Sequence, residues 1–290
     1  MTGVEQETDR VLQERELWRV LEAVHAVVYF TPEAKAVYGE LGLRGFWTGY
    51  FASRSAALGA PGPRLVTALF HGFAPRMVER ALPGAWEVAD PARVLDARLA
   101  LARSALEGPA AAVLPARLVG AAGRLTAALA DLDVAGRPLA AAHLDVTVPA
   151  EPLARVWHAA TVLREYRGDG HVAALVAAQV DGVQGHLLHR GALVPQQREF
   201  RGWTEGEWAD GAERLRERGL LDAAGQATSH GRELRAEIER STGRSAARGL
   251  RALDDAALRE LLGALGPLAR AVADAGAVPY PNAMGIARPA

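Results

Sequence analysis

Prolines that follow a capping side chain cut this chain into helices, and that punctuation constrains the fold more than any other feature. Asp90-Pro91 is the clearest case. A carboxylate there can accept the free N–H groups of a first turn, and the proline ring has no N–H to lose and a φ already suited to a helix. Behind it Val94, Leu95, Arg98, Leu101, Ala102 and Leu106 recur at helical spacing, which predicts a helix to Gly108. Thr31-Pro32 predicts another start, with a helix to Leu41 that ends around Gly42. Pro152 opens a helix carrying Leu153, Val156, Trp157, Ala160 and Leu163. Thr204 and Glu207 have the spacing of a capping box, so a helix carrying Trp208, Ala212 and Leu215 runs from there to Gly219. Leu17, Leu21, Val24 and Val28 predict a helix over 12–29 with His25 on or beside its apolar stripe. The alanine-rich stretch 111–130 reads as a helix, and Gly136-Arg137-Pro138 as a turn. The glycines of Arg164–His171 are expected to break the helix begun at Pro152, leaving Asp169 to cap a short one from Gly170 to about Val180.

Beyond Gly219 come Leu220-Leu221, a polar turn over Asp222–Gln226, Ala227-Thr228 and a helix from Gly231 to about Thr242. Helix, short helix, helix, tiny hairpin, helix is the order of a winged helix; an ordinary helix, loop and helix is the alternative. The expected fold is therefore mainly α. Residues 1–145 form a helical region, conceivable as a second, degenerate winged helix. Residues 146–250 form a C-terminal winged helix-turn-helix domain, and 251–290 a last helix with an extended tail.

Composition removes several function classes. With no cysteine among 290 residues, thiolate metal sites, iron–sulfur clusters and cysteine nucleophiles are excluded. No stretch has the uncharged apolar length of a membrane span, and the opening residues lack the basic-then-apolar order of a signal peptide, so a cytoplasmic location and no membrane partner are expected. The formal charge of −1 argues against a broadly basic surface, although a local one could still meet DNA. Walker and dinucleotide fingerprints and H-x-x-x-H or H-E-x-x-H pairs are absent, and His186 and His189, three apart, lie among glycines that suit a loop, so no cofactor and no metal are implied.

Candidate sites fall into three groups. Phe46, Trp47, Tyr50 and Arg54 share one aromatic stretch, and with His71 and Arg98 they suggest a pocket with apolar walls in which an arginine holds an acidic ligand. His25, His171 and Asp169 are candidate acid–base groups. Arg198, Arg201, Arg214, Arg218 and Arg232 are candidate DNA contacts, yet the helix from 205 to 218 also presents Asp210, Glu213 and Glu217, and the turn after it has no basic residue. Each has a plainer reading: a hydrogen-bonded core histidine, a helix cap, core aromatics, a solvated charged face.

Several blocks in order resemble an actinobacterial family of helix-turn-helix-like proteins, the SalK-like group, over residues 15 to 245. They are His25 with VVYFTPEA, GYFASRSAALG, FHGFAP, Trp86 with Pro91–Arg98, Asp169–His171, and the tryptophan-rich stretch ending in GLL and TSHG. His71-Gly72 departs from the aromatic and polar pair the pattern has there. The resemblance implies a winged-helix fold and a setting near natural-product pathways. The expected function is a small-molecule-binding winged-helix protein: a ligand-responsive regulator that binds double-stranded DNA as a homodimer. The competing expectation is a natural-product-pathway enzyme using buried histidines for proton transfer and an arginine to anchor an acidic substrate.

Overall fold

The computed structural model describes residues 3–190, 195–282 and 284–289. In chain order the N-terminal half holds α1 (Gly3–His25), α2 (Val27–Phe30), α3 (Ala34–Glu40), α4 (Phe46–Ser55), a 3₁₀ turn over Ala56–Leu58, α5 (Pro63–Leu69), α6 (Pro75–Ala81), α7 (Ala85–Val88), α8 (Pro91–Ala110), α9 (Pro115–Ala130) and α10 (Pro138–Leu144). Then come α11 (Pro152–Ala177), α12 (Gly182–Arg190), α13 (Pro195–Phe200), α14 (Glu205–Glu217), α15 (Ser229–Ala247), a 3₁₀ turn over Arg248–Leu250, and α16 (Asp255–Asp274). The Asp90 carboxylate accepts the N–H groups of Ala92 at 2.8 Å and Arg93 at 3.4 Å, and Glu151 caps α11 in the same way. The Thr204–Glu207 capping box is present at α14. Thr31 instead ends α2, and α3 begins only at Ala34, because Pro32 and Glu33 form a turn between them.

The glycines of Arg164–His171 do not interrupt α11, which runs unbroken through them and is buried on every side over Leu153–Leu163 except at Arg155. A Cβ on Gly170 would stand 2.3 Å from Arg137 Nη1. Arg137 crosses the helix there, with its guanidinium over the Tyr166 ring and bonded to the Tyr166 carbonyl. The glycine is kept for close approach rather than for a break.

The winged helix is not formed. Among the described residues there is no β-strand, and the C-terminal hairpin is reduced to one antiparallel bridge between Leu221 and Ala227. The bridge is confined from both ends: α14 ends at Glu217 and α15 begins at Ser229, and inside it the Asp222 carbonyl already accepts the Gly225 N–H of a turn at 3.0 Å. The Asp222 side chain takes the Gln226 N–H at 2.8 Å, and Ala223 and Ala224 have little preference for extended backbone. A second, degenerate winged helix in the N-terminal half fails for the same reason, since every described element there is helical. What remains is a helix-turn-helix without a wing: α12, α13 and α14, closed by α15.

Two apolar cores result. The larger is built from α1 to α11 and α16, and also takes in Val278 and Ile286 of the segment after α16. The smaller gathers Val183, Leu187, Trp208, Leu215, Leu220 and Ile238 from α12, α14 and α15. Residues 70–75 bolt the two together. His71 Nε2 lies 3.1 Å from the Val180 carbonyl oxygen, the Gly72 carbonyl oxygen receives the Trp203 indole N–H at 3.0 Å, and His186 Nε2 lies 2.9 Å from that same oxygen. Arg76 pairs with Glu207 at 2.6 Å. No helix among the described residues is long and apolar enough to cross a membrane.

Buried charges tie α11 to its neighbours. Arg54 of α4 reaches both Glu165 carboxylate oxygens at 3.1 Å, and Arg164 reaches the same carboxylate at 2.9 Å and Glu22 of α1 at 3.5 Å. Burial alone would raise the Glu165 carboxyl; the guanidiniums of Arg164 and Arg54 outweigh it and hold the group well below the usual carboxylate range. One turn on, Arg167 joins Glu14 of α1 at 3.3 Å and Glu239 of α15 at 2.6 Å. Here burial prevails over the Arg167 charge, and the Glu14 carboxyl is pushed up to about 7.

Two outcomes are expected. A Cβ on Gly231 would stand 2.1 Å from the Leu220 carbonyl oxygen, a backbone atom that cannot swing away. Gly231→Ala should therefore cost about 1–3 kcal/mol in urea denaturation despite the better helix propensity of alanine. Glu14 has a folded pKa above its ordinary 4.5, so its contribution to stability is greatest below that value and is lost as pH rises through about 7. Glu14→Gln, which mimics the protonated acid, should match the native chain at pH 5 and exceed it by about 2 kcal/mol at pH 8. Equal stability of the two proteins at both pH values would refute the assignment.

Candidate functional site

On α8 the buried stripe reads Val94, Arg98, Leu101, Ala102, Leu106, so a guanidinium stands where the spacing calls for an apolar side chain. Arg98 is 1% exposed. Its Nη2 donates to the Tyr29 hydroxyl at 3.0 Å, and its charge lies 5.3 Å from the centre of the Trp157 ring. Nε and Nη1 are buried with no hydrogen-bond partner, and among the described residues no carboxylate pairs with the group. Leaving charged donors buried and unpaired costs more than leaving neutral ones, roughly 1–3 kcal/mol or more. Arg54 differs in having a carboxylate, since its Nη2 pairs with Glu165, although its Nε too is buried without a partner.

Behind Arg98 runs a chain of hydrogen bonds whose directions can be assigned. Thr161 donates its one hydroxyl hydrogen to the Trp157 carbonyl at 3.0 Å, one turn back in α11. It can then only accept from His25 Nδ1, at 3.0 Å. His25 Nε2 is left as an acceptor for the Tyr29 hydroxyl at 2.9 Å, and Tyr29 in turn accepts from Arg98. Burial first, and then the positive charge of Arg98, lower the His25 pKa well below that of free imidazole, so the ring is neutral. His25 is an internal strut.

Arg98 lines a cleft of about 540 Å³ between α8, α10, α11 and the 3₁₀ turn after α4. That is within the range of small-molecule sites, roughly 300–1,000 Å³. Leu95, Leu99 and Trp157 supply apolar walls. His143 of α10 and His158 of α11 also line it, at 2% and 5% exposure, and the Nε2 atom of each is buried without a partner. Burial, then the Arg98 charge, pull the His143 pKa down to about 3; burial lowers that of His158. Both rings are neutral at pH 7, so Arg98 carries the positive charge of the cleft while each imidazole can give or take one hydrogen bond.

The other expected site residues are dispersed. Phe46, Trp47 and Tyr50 pack on one another and on Phe51 and Phe73 at 4.9–6.0 Å between ring centres, with Phe46 at the exposed edge of the cluster and away from Arg98. Arg54 lies over the Phe70 ring at 4.1 Å. His71 belongs to the junction between the two cores. Asp169 accepts the N–H groups of Leu139 and Ala140 at 3.0 and 3.1 Å, so it caps α10 instead of a new helix of its own, and burial raises its pKa to about 6. His171 bonds Thr242 at 3.0 Å. Of the residues named from the sequence, Arg98 alone lines the cleft.

The five arginines expected at DNA are also engaged. Arg214 pairs with Asp181 at 2.7 Å, Arg218 donates to the carbonyls of Gln179 and Ala178, and Arg232 donates to that of Ala227. Arg198 lies 3.5 Å from Glu205, and Arg201 turns inward over the Phe73 ring at 4.4 Å. The exposed charges of α14 are Glu205, Asp210, Glu213 and Glu217 against Arg214 and Arg218.

Sequence reasoning missed Tyr29, His143, His158, Thr161 and Glu165. A signal existed for His143, three and four positions after Ala140 and Leu139 on the buried face of α10. Glu165 was hidden by reading its segment as a break, and His158 and Thr161 lie on a helix buried all round, where periodicity singles out no face.

A site residue held at a cost to stability has a testable signature. Arg98→Met keeps the apolar stem and removes the orphaned donors, so in the absence of ligand it should be about 1 kcal/mol more stable than the native chain, even after losing the bond to Tyr29. A clearly lower melting temperature would show that Arg98 is a structural strut.

Comparison with known proteins sets this geometry in a family. No curated protein and no solved structure matches the chain. A family model described as a helix-turn-helix family matches residues 14–279, which takes in both cores and the cleft. The chain belongs to this helix-turn-helix family.

Proposed function

We propose that this protein binds a small organic molecule in the Arg98 cleft, on a helix-turn-helix scaffold that has no wing. The carrying observation is the unpaired, fully buried guanidinium of Arg98 in a cleft of about 540 Å³ whose other polar groups, His143 and His158, also lack partners. Native proteins satisfy the great majority of their buried polar groups, and several unsatisfied ones in one cleft point to a ligand that completes them. The resemblance to the SalK-like group, with its setting near natural-product pathways, favours an organic ligand over an inorganic ion.

Family membership is consistent with a DNA-binding or regulatory role, and DNA binding by a two-fold dimer is the second reading. The four carboxylates on the exposed face of α14 weigh against it, because they would meet phosphates.

Imidazole NMR tests the first reading. With benzoate added to 10 mM as probe (about the level that suits a weak ligand), the resonances of His143 and His158 should move while that of His186 stays. Ala142→Trp, which fills the cleft, should abolish the response. Absence of any shift at His143 and His158 would overturn the proposal. Fluorescence anisotropy with a random duplex at low salt tests the second, where tight, salt-sensitive binding would restore DNA as a partner.

A further inference from the structure

The cleft has a second electrostatic feature, of opposite sign and at a different depth. Asp90, Asp96 and Asp145 also line it, and all three are exposed, whereas Arg98 is buried. Asp90 is occupied as the cap of α8. Asp96, one half-turn before Arg98 on α8, and Asp145, just past the end of α10, make no ion pair among the described residues. Arg98 is the one arginine or lysine in the lining. A single positive charge is therefore buried in the cleft and two uncommitted carboxylates are exposed on it, with Leu95, Leu99 and Trp157 among its apolar walls.

This arrangement discriminates among ligands. A phosphate or a dicarboxylate would bring two negative charges to one guanidinium and leave the second facing Asp96 or Asp145. A purely apolar ligand would leave the Arg98 donors unsatisfied. A simple amine would be drawn to the exposed carboxylates and would put nothing against Arg98. A ligand with a carboxylate at one end and an ammonium at the other satisfies both ends, provided an apolar spacer separates them by the depth of the cleft.

Resting on the reading of the cleft as the ligand site, we infer that its ligand is a zwitterionic amino-carboxylate whose carboxylate pairs with Arg98 and whose ammonium, held off by an apolar spacer, meets Asp96 and Asp145. The carboxylate takes the Nε and Nη1 donors that have no partner within the chain. His143 and His158 add one neutral hydrogen bond each, so the buried end gains donors without a second charge.

Three matched probes test the inference by calorimetry with the full chain: 4-(aminomethyl)benzoate, which carries both charges, 4-methylbenzoate, with the anion alone, and 4-methylbenzylamine, with the cation alone. The zwitterion should bind roughly tenfold or more tightly than either relative, as one charge-assisted contact at each end predicts. Arg98→Met should remove most of the advantage over the amine. The double variant Asp96→Asn with Asp145→Asn should cut the advantage over 4-methylbenzoate by about three- to fivefold and leave the binding of 4-methylbenzoate itself unchanged or stronger. If 4-methylbenzoate binds as tightly as the zwitterion, the zwitterionic class is wrong and the cleft remains a carboxylate site. If the amine binds best, the inference falls as well. If none of the three moves the His143 and His158 resonances or releases heat, the cleft is not the ligand site and both readings fail.

Discussion

The Glu165 carboxylate, buried between the guanidiniums of Arg54 and Arg164, is the contact on which the rest of the structure depends. It lies in α11, a helix surrounded by protein over most of its length, and it joins that helix to α4 directly and, through Arg164 and Glu22, to α1. Buried ion pairs give little net stability when complete, because desolvation offsets the attraction. Their effect lies in what an incomplete pair costs, about 3–5 kcal/mol when one partner is lost. Any packing of α4 against α11 that separated Arg54 from Glu165 would incur that cost, so the pair acts chiefly by excluding alternatives.

Arg54 and Arg98 show how a shared residue type acquires two roles. Both sit on helices of the larger core, both are buried and both stack on aromatic rings. Glu165 neutralises one of them within the chain. The other has only a phenol and a ring face, and it adjoins a cleft. The difference comes from the neighbouring helix, since a carboxylate at Glu165 of α11 faces α4 while His158 and Thr161, earlier on the same helix, face the cleft beside α8. A helix buried on all sides can serve several neighbours, each with different chemistry.

The helix-turn-helix is joined to this core rather than set apart from it. The Gly72 carbonyl, His71 and Arg76 hold α12 to α14 against the N-terminal half, and Arg201 turns its guanidinium back onto Phe73. Arg214, Arg218 and Arg232 bond within the chain while remaining exposed, and Arg214 and Arg218 share the outer side of α14 and its C-terminal end with carboxylates. The Arg98 cleft lies in the other core, on the opposite part of α11, so the two regions share one helix as their mechanical link.

The helical class was written in the local sequence, because capping and first-turn proline act within four residues: Asp90-Pro91, Glu151-Pro152 and the Thr204–Glu207 box all start helices where the residues alone say they should. Arg98 was also legible, as a charge inside an apolar stripe. Local pattern misled where a residue answers to a distant partner. The glycines near Asp169 suggest a break until Arg137 is seen crossing α11, and GLL with TSHG suggest a wing until α14 and α15 are seen to close in on either side of a single bridge. His143, His158 and the unpaired state of Arg98 belong to tertiary structure altogether. Whether a buried charge meets its counter-charge depends on groups far away in sequence, and only the packing of α4, α8, α10 and α11 decides that Glu165 reaches Arg54 while Arg98 has no carboxylate beside it.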